Sequence, residues 1–190
     1  MKKMILIAAA VLFAGAAMSA QTKFAHVDFN ELLQLMPETD SAMVQMDAAY
    51  KEANDTYNTM LAEYQTKAQQ FQEKQATWTS AVRDSKAREL SDIEARINDF
   101  NQAIQQDMNQ LNQTLMAPIQ QKATDVVNTL AKAKGVIYVF NSTSLLYIDE
   151  TQSIDLTPEA RTMLNIPDDK TIESVMAARQ AQAEAAAAAQ

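Results

Sequence analysis

The chain has 190 residues, of which 16 are Lys or Arg and 24 are Asp or Glu, so its net charge is −8 at pH 7. This acidic balance argues against a general nucleic-acid binder and against a protein that binds anionic membranes, because both ligands are negatively charged. The sequence has no Cys, which excludes disulfides and thiolate nucleophiles, and only two Gly and four Pro, which predicts long regular elements with few tight turns.

The N-terminus has the pattern of a secretory signal peptide. Lys2 and Lys3 form a short basic segment, residues 5–17 are apolar but too short to span a bilayer, and small residues follow up to Ala20. We therefore predict that residues 1–20 are a signal peptide and that the mature chain is exported to the periplasm; the alternative is a retained membrane anchor. Without Lys2 and Lys3, the chain has 14 basic and 24 acidic residues, which gives a net charge of −10. No second apolar segment of about 18 residues follows, so we expect no stable membrane insertion.

The residues after this segment predict a strand and a short helix. Residues 23–29 alternate in polarity, with apolar side chains at Phe24 and Val27. Pro37 then breaks the helix that follows within about two turns. We therefore assign residues 21–41 to a compact body.

Residues 42–134 carry the periodicity of a coiled coil. A large apolar side chain recurs every seven residues, at Met43, Tyr50, Tyr57, Tyr64, Phe71 and Trp78. A second apolar run, from residue 90 to residue 130, has helical spacing, and Pro118 within it predicts a kink. Since neither helix can bury its apolar stripe alone, we predict an antiparallel hairpin with its tip near residue 83.

Residues 98–113 within this hairpin are rich in Asn and Gln. Disorder is one interpretation of such a composition. However, Phe100, Ile104 and Met108 keep the helical period through it, so we interpret the amides as the solvated face of a helix.

After the hairpin the chain returns to the body, to which we assign residues 135–180. Gly135 has the position of a helix C-cap, and residues 135–140 are β-branched and aromatic, which predicts a strand. Residues 145–149 predict a third strand, and Pro158 marks the start of a closing helix.

The predicted fold is mainly α-helical with a small β-sheet, and a long antiparallel coiled-coil hairpin projects from a small β body. The Ala and Gln tail at residues 181–190 has too few apolar side chains to pack, so we expect it to be disordered. Three short strands make a poor core, so we expect the body to associate with other copies. The residues expected at that interface are Phe24, Val27, Val139, Leu146 and Ile148.

Residues that could carry catalysis are scarce. His26 is the only His, which excludes metal sites built from a His pair, and a mature chain with one Gly cannot form a glycine-rich phosphate loop. The carboxylates are spread along the helices, and nothing pairs two of them for acid–base chemistry. We therefore predict no enzyme, no catalytic residue, and no metal or other cofactor.

Four segments, in this order, resemble the Skp/OmpH family: KFAHVDFNELLQLMPE, the long hairpin, GVIYVFNSTSLLYID and DLTPEARTML. The resemblance implies that the sheets of three subunits associate and that three helical arms extend from them. It also implies that unfolded outer-membrane β-barrel proteins are held between the arms without ATP. We therefore expect a periplasmic, homotrimeric holdase chaperone that binds these unfolded proteins, with the outer-membrane assembly machinery as a further partner.

The charge of the chain departs from this family. Its best-known member is strongly basic, whereas this chain is acidic, so the resemblance leaves a lipopolysaccharide contact open. Near the predicted tip, Arg83, Lys86 and Arg88 form a basic cluster that we expect to steer acidic clients. The alternative is that these three are solvated turn residues.

Two other functions fit the same sequence features. A structural coiled-coil spacer or envelope adaptor would share the export signal and the hairpin, but it would bind one folded partner. The second alternative function is that of an assembly factor bound to the barrel-insertion machinery. Suppression of aggregation of unfolded barrel proteins separates a holdase from a spacer.

Overall fold

The computed structural model describes residues 24–188, so the predicted signal peptide at residues 1–20 lies outside the described residues. The described elements in chain order are β1 (Phe24–Val27), α1 (Phe29–Leu35), α2 (Pro37–Lys74), α3 (Ser80–Lys134), β2 (Tyr138–Asn141), a 3-10 turn (Ser142–Ser144), β3 (Ser153–Asp155), α4 (Thr157–Met163) and α5 (Ile172–Ala188). The predicted fold class, mainly helical with a small sheet and a long hairpin, is confirmed. None of the described helices combines the length and apolarity needed to cross a membrane.

The three strands form one parallel sheet in the order β2-β1-β3. Phe24 at the start of β1 lies opposite Tyr138 of β2 and Ser153 of β3. Parallel neighbours need a crossover connection, and the α2–α3 hairpin supplies one between β1 and β2 by returning the chain to the end of the sheet where β1 began. β2 and β3 are therefore the two edge strands.

The hydrophobic core lies in the body, where the sheet meets α1, α4 and the body ends of α2 and α3. Its largest side chains with no exposure are Leu32, Leu35, Met36, Leu156 and Leu164. α3 adds a buried stripe of helical spacing, formed by Ile119, Ala123, Val127 and Leu130. The two halves of the chain thus share one core at the base of the hairpin.

Polar contacts hold α1 in this core. The Asp28 carboxylate accepts a hydrogen bond from the Glu31 backbone N–H at 2.8 Å and so caps the first turn of α1. The Glu31 carboxylate pairs with Arg161 of α4. At the other end, Lys170 Nζ donates to the Leu35 carbonyl oxygen at 3.0 Å, which satisfies a backbone acceptor that the end of the helix leaves free.

Residues 43–114 lie beyond this core and form the arm, in which α2 and α3 run antiparallel. Across it, Arg96 Nη2 donates to the Glu63 carboxylate at 3.1 Å, and the Tyr64 hydroxyl donates to Glu94. The 38 residues of α2 span roughly 57 Å at 1.5 Å per residue. α3 continues through Pro118 without interruption.

The tip lies at residues 75–79 rather than near residue 83. The prediction placed it halfway between the two strands. However, residues 29–36 form a separate short helix and its cap on the body. The outgoing helix of the hairpin therefore begins later than the prediction assumed, and it is shorter than the returning helix. At the base of the hairpin, Glu38 of α2 pairs with Lys122 of α3.

The third strand is Ser153–Asp155, and the prediction of a strand at residues 145–149 is wrong. Ile154 pairs with Ala25 of β1, and the turn before it is set by Asp149, whose carboxylate accepts from the Thr151 N–H at 2.9 Å. The apolar run at residues 145–149 has the composition of a strand, but it pairs with no strand among residues 24–188.

The C-terminal tail also differs from its prediction. α5 continues to Ala188 and so includes most of the tail that we expected to be disordered. Alanine has the highest intrinsic helix propensity, and Ile172 and Val175 at the start of α5 pack against the core. An anchored first turn removes the cost of helix nucleation for the residues that follow.

Candidate functional site

The outer face of the sheet carries three aromatic side chains, Phe24, Tyr138 and Phe140, which we call the aromatic patch. Their ring centroids lie 6.1–6.3 Å apart, and Phe24 stacks on Tyr138 with an interplanar angle of 12°. In the single chain these side chains are 38%, 59% and 42% exposed. Side chains alternate between the two faces of a strand, so Val139, between the two β2 aromatics, points toward the core.

The five residues predicted to form an interface do not lie on one surface. Val27 is buried in the core, and Val139 packs against it, so both have the cover that the prediction assumed they lacked. Ile148 is half-buried in the segment between the 3-10 turn and β3. Phe24 belongs to the aromatic patch, and Leu146 is fully exposed.

Sequence reasoning missed Tyr138 and Phe140 at this surface. The signal was present, because a two-residue period along residues 137–140 must place them opposite Val139. More apolar surface is exposed at Ile137, directly before β2, and at Tyr147, which follows the 3-10 turn and is 81% exposed. Exposed apolar patches of this kind mark places where proteins bind partners.

His26 lies on the same sheet and joins β1 to β3. Its Nδ1 is 2.9 Å from the Ser153 hydroxyl, and its Nε2 is 3.9 Å from the Asp155 carboxylate. Asp155 also accepts the Thr157 N–H at 2.8 Å and so holds the start of α4. Each of these contacts ties one strand or helix to its neighbour. Among residues 24–188, no cluster of His, Asp and Glu could hold a metal ion.

The arm presents a second surface along the seam between its two helices. Of the aromatic ladder predicted from the sequence, Tyr57, Tyr64 and Phe71 are half-buried along this seam. Tyr50 is 56% exposed, and Trp78 lies in the turn at the tip. Within residues 43–114, only Ile93 and Met108 are buried. Two helices cover one seam from two sides only, so much of the apolar stripe stays accessible.

A model of the family described as "Outer membrane protein (OmpH-like)" matches residues 23–164, which include the sheet, the whole arm and α4. The chain belongs to the OmpH-like family. Among solved structures it is similar to a candidate outer membrane chaperone (OmpH-like) from Caulobacter crescentus CB15, with a TM-score of 0.66 and 9% sequence identity over 77% of this chain and 85% of that chain. That identity establishes a common fold. No curated protein matches the chain.

In this OmpH-like chain the predicted basic cluster lies just below the arm tip, in the first turns of α3. Arg83, Lys86 and Arg88 are all exposed. Lys86 Nζ is 2.8 Å from the Glu89 carboxylate, and Lys67 of α2 pairs with the same group. Glu89 therefore offsets part of the cluster's charge, and Arg83 and Arg88 carry the positive charge that has no ion-pair partner among the described residues.

These contacts with lysine lower the pKa of Glu89 to about 2, and Lys67 is the largest cause. We expect Lys67→Met to raise the pKa of Glu89 toward the ordinary glutamate value of roughly 4.3. A lowered pKa means that the ionised carboxylate stabilises the fold above the unfolded value, and this contribution is lost as the pH falls toward 2. An NMR pH titration of the Glu89 carboxyl measures the change. Lys51→Met, which removes a lysine outside this cluster, should leave the pKa as it is, and an equal pKa in both variants contradicts the assignment.

Proposed function

We propose that this protein is an ATP-independent holdase of the periplasm, which binds unfolded outer-membrane proteins and prevents their aggregation. The observation that carries the proposal is the arm, a long hairpin whose apolar seam is only half covered, in a chain of the OmpH-like family. Unfolded barrel strands alternate apolar and polar residues, and they aggregate when exposed. A half-open apolar seam offers such strands many weak contacts, which release the client without an energy source.

We further propose that the working form is a homotrimer assembled through the sheets. The aromatic patch and the free edge of β2 support association, because both leave groups uncovered in the single chain. The number three comes from the family resemblance. Several arms around one space would raise the local concentration of binding surface for a single client.

The test is dilution of a urea-unfolded barrel protein into buffer with and without the purified mature chain. We expect light scattering to fall as the chain is added, and mass measurement to show one client bound per oligomer. Added ATP or chelator should leave the suppression unchanged. A chain that fails to suppress scattering but binds one folded envelope protein would instead be a spacer or adaptor.

The basic cluster at the tip provides a further prediction. Changing Arg83, Lys86 and Arg88 to Gln should slow capture of an acidic client several-fold at low salt and have little effect at high salt, because exposed charges act mainly on encounter. Release should stay the same, since exposed ion pairs contribute little at equilibrium. Stopped-flow binding of a labelled unfolded barrel protein separates the two rates.

A matched control removes the same charge elsewhere, through Gln substitutions at Lys51, Lys132 and Arg179. Its on-rate at low salt should fall less than that of the tip variant. If the tip variant instead released clients faster at an unchanged on-rate, the cluster would be part of the binding surface and would have no steering role.

A further inference from the structure

In the half of the arm nearer the body, α2 and α3 leave an open groove of about 400 Å³, which we call the arm groove. Its apolar lining comes from both helices, at Tyr50, Tyr57, Phe100, Ile104 and Met108. Tyr50 is 56% exposed, so its ring is available to a partner. Aromatic rings at such a surface supply a large contact area at a low cost in conformational entropy.

The rim of the arm groove consists of amide side chains, those of Asn54, Asn101, Gln105 and Asn109. All four residues are exposed, and within residues 24–188 none of these amides has a hydrogen-bond partner. Each amide offers two N–H donors and one carbonyl acceptor. None of the residues that line the groove is Asp, Glu, Lys, Arg or His, so the groove itself carries no formal charge.

A rim of free amides around an apolar floor matches one kind of ligand. The backbone of an extended polypeptide presents N–H and C=O groups in pairs, which side-chain amides can bind regardless of sequence. Alternate side chains of such a segment point the same way, toward the apolar floor. A helix, including the arm of a second copy, satisfies its own backbone groups internally, and a charged ligand would find no counter-charge here.

We propose that the arm groove binds an extended, uncharged segment of polypeptide in which apolar and polar residues alternate, with the amides hydrogen-bonded to its backbone. This deepens and rests on the proposed holdase function, since unfolded barrel strands have this pattern. Residues 101–109 of α3 span roughly 12 Å, which is about the length of four residues of a strand. The arm groove therefore recognises the backbone of the segment and the alternation of its apolar and polar side chains. Charge plays no part in this recognition.

The test uses a fluorescent, capped ten-residue peptide that alternates Val or Tyr with Ser or Thr. Anisotropy should show binding to the full mature chain, with an affinity that changes less than about twofold between about 50 and 500 mM NaCl, because no charge is involved. A second peptide has the same side chains but N-methyl groups on alternate backbone nitrogens. It should bind at least about tenfold more weakly, because its backbone has lost donors.

On the protein side, the groove variant carries Asn101→Asp, Gln105→Glu and Asn109→Asp, which keep the shape of each side chain but remove its donors. We expect it to bind the peptide about tenfold more weakly than the wild type. The control variant adds the same charge on exposed positions of α3 outside the groove, at Gln106→Glu, Gln110→Glu and Gln113→Glu. Its affinity should stay within about twofold of the wild type. Far-UV circular dichroism checks that both variants keep their helices.

Equal binding of the two peptides, or equal affinity of the groove and control variants, would overturn the proposal. So would a wild-type chain that suppresses aggregation of an unfolded barrel protein but binds no peptide; in that case the holdase function stands and only the groove assignment fails. A wild-type chain that binds the peptide as expected but suppresses no aggregation would leave the groove assignment standing and reject the holdase function.

Discussion

Replacing Tyr138 and Phe140 together by Asp is expected to convert the proposed oligomer into single chains. Both side chains are exposed in the single chain, at 59% and 42%, so the change should leave the core of each subunit intact. In an assembly built on the aromatic patch, however, each Asp would be buried without a partner, which costs several kcal/mol per site. Sedimentation or light scattering at micromolar concentration should report the mass of one chain for the variant and a multiple of it for the wild type.

The control for this prediction changes two exposed apolar residues away from the sheet. Val44 on α2 and Met163 on α4 are 69% and 46% exposed, and their double replacement by Asp adds the same charge. This control should keep the mass of the wild type. A wild type that is already a stable single chain, or a patch variant of unchanged mass, would show that the aromatic patch does not hold an assembly together.

Leu32→Ala is expected to cost about 2–5 kcal/mol of unfolding free energy, the range for removing a fully buried leucine. Leu32 has no exposure, and α1 lies against α2, α3, α4 and α5, so the cavity would open where these helices meet. Domains of this size have only about 5–15 kcal/mol of stability in total, so the variant should unfold at a much lower urea concentration.

Urea unfolding followed by circular dichroism measures this loss, at one fixed protein concentration because association shifts the midpoint. Val44→Ala is the matched control, since it also truncates a helical aliphatic residue, but one that is 69% exposed. It should change the free energy of unfolding by less than about 0.5 kcal/mol. If both variants unfolded at the same urea concentration, the body would not be the cooperative core described above.

The amino-acid sequence alone determined the features that depend on a few neighbouring residues. Gly135 ends α3 as predicted, because its φ of 65° is left-handed and Val136 N–H reaches back to the Ala131 carbonyl oxygen at 3.1 Å. The seven-residue repeat of aromatic residues placed Tyr57 and Phe71 on the seam of the arm. Helices are built from hydrogen bonds between residues four positions apart. The residues of a short segment therefore determine which face of a helix is apolar and where the helix ends.

The tertiary structure decided where distant segments meet. β3 is a strand because Ile154 pairs with Ala25, at a distance of 129 positions along the chain, and not because of its composition. The more strand-like residues 145–149 have no such partner in the described part of the chain. The aromatic patch likewise exists only because parallel pairing sets Phe24 of β1 beside Tyr138 of β2. A strand is defined by hydrogen bonds to another strand, so its position and its exposed face depend on contacts that no local sequence pattern specifies.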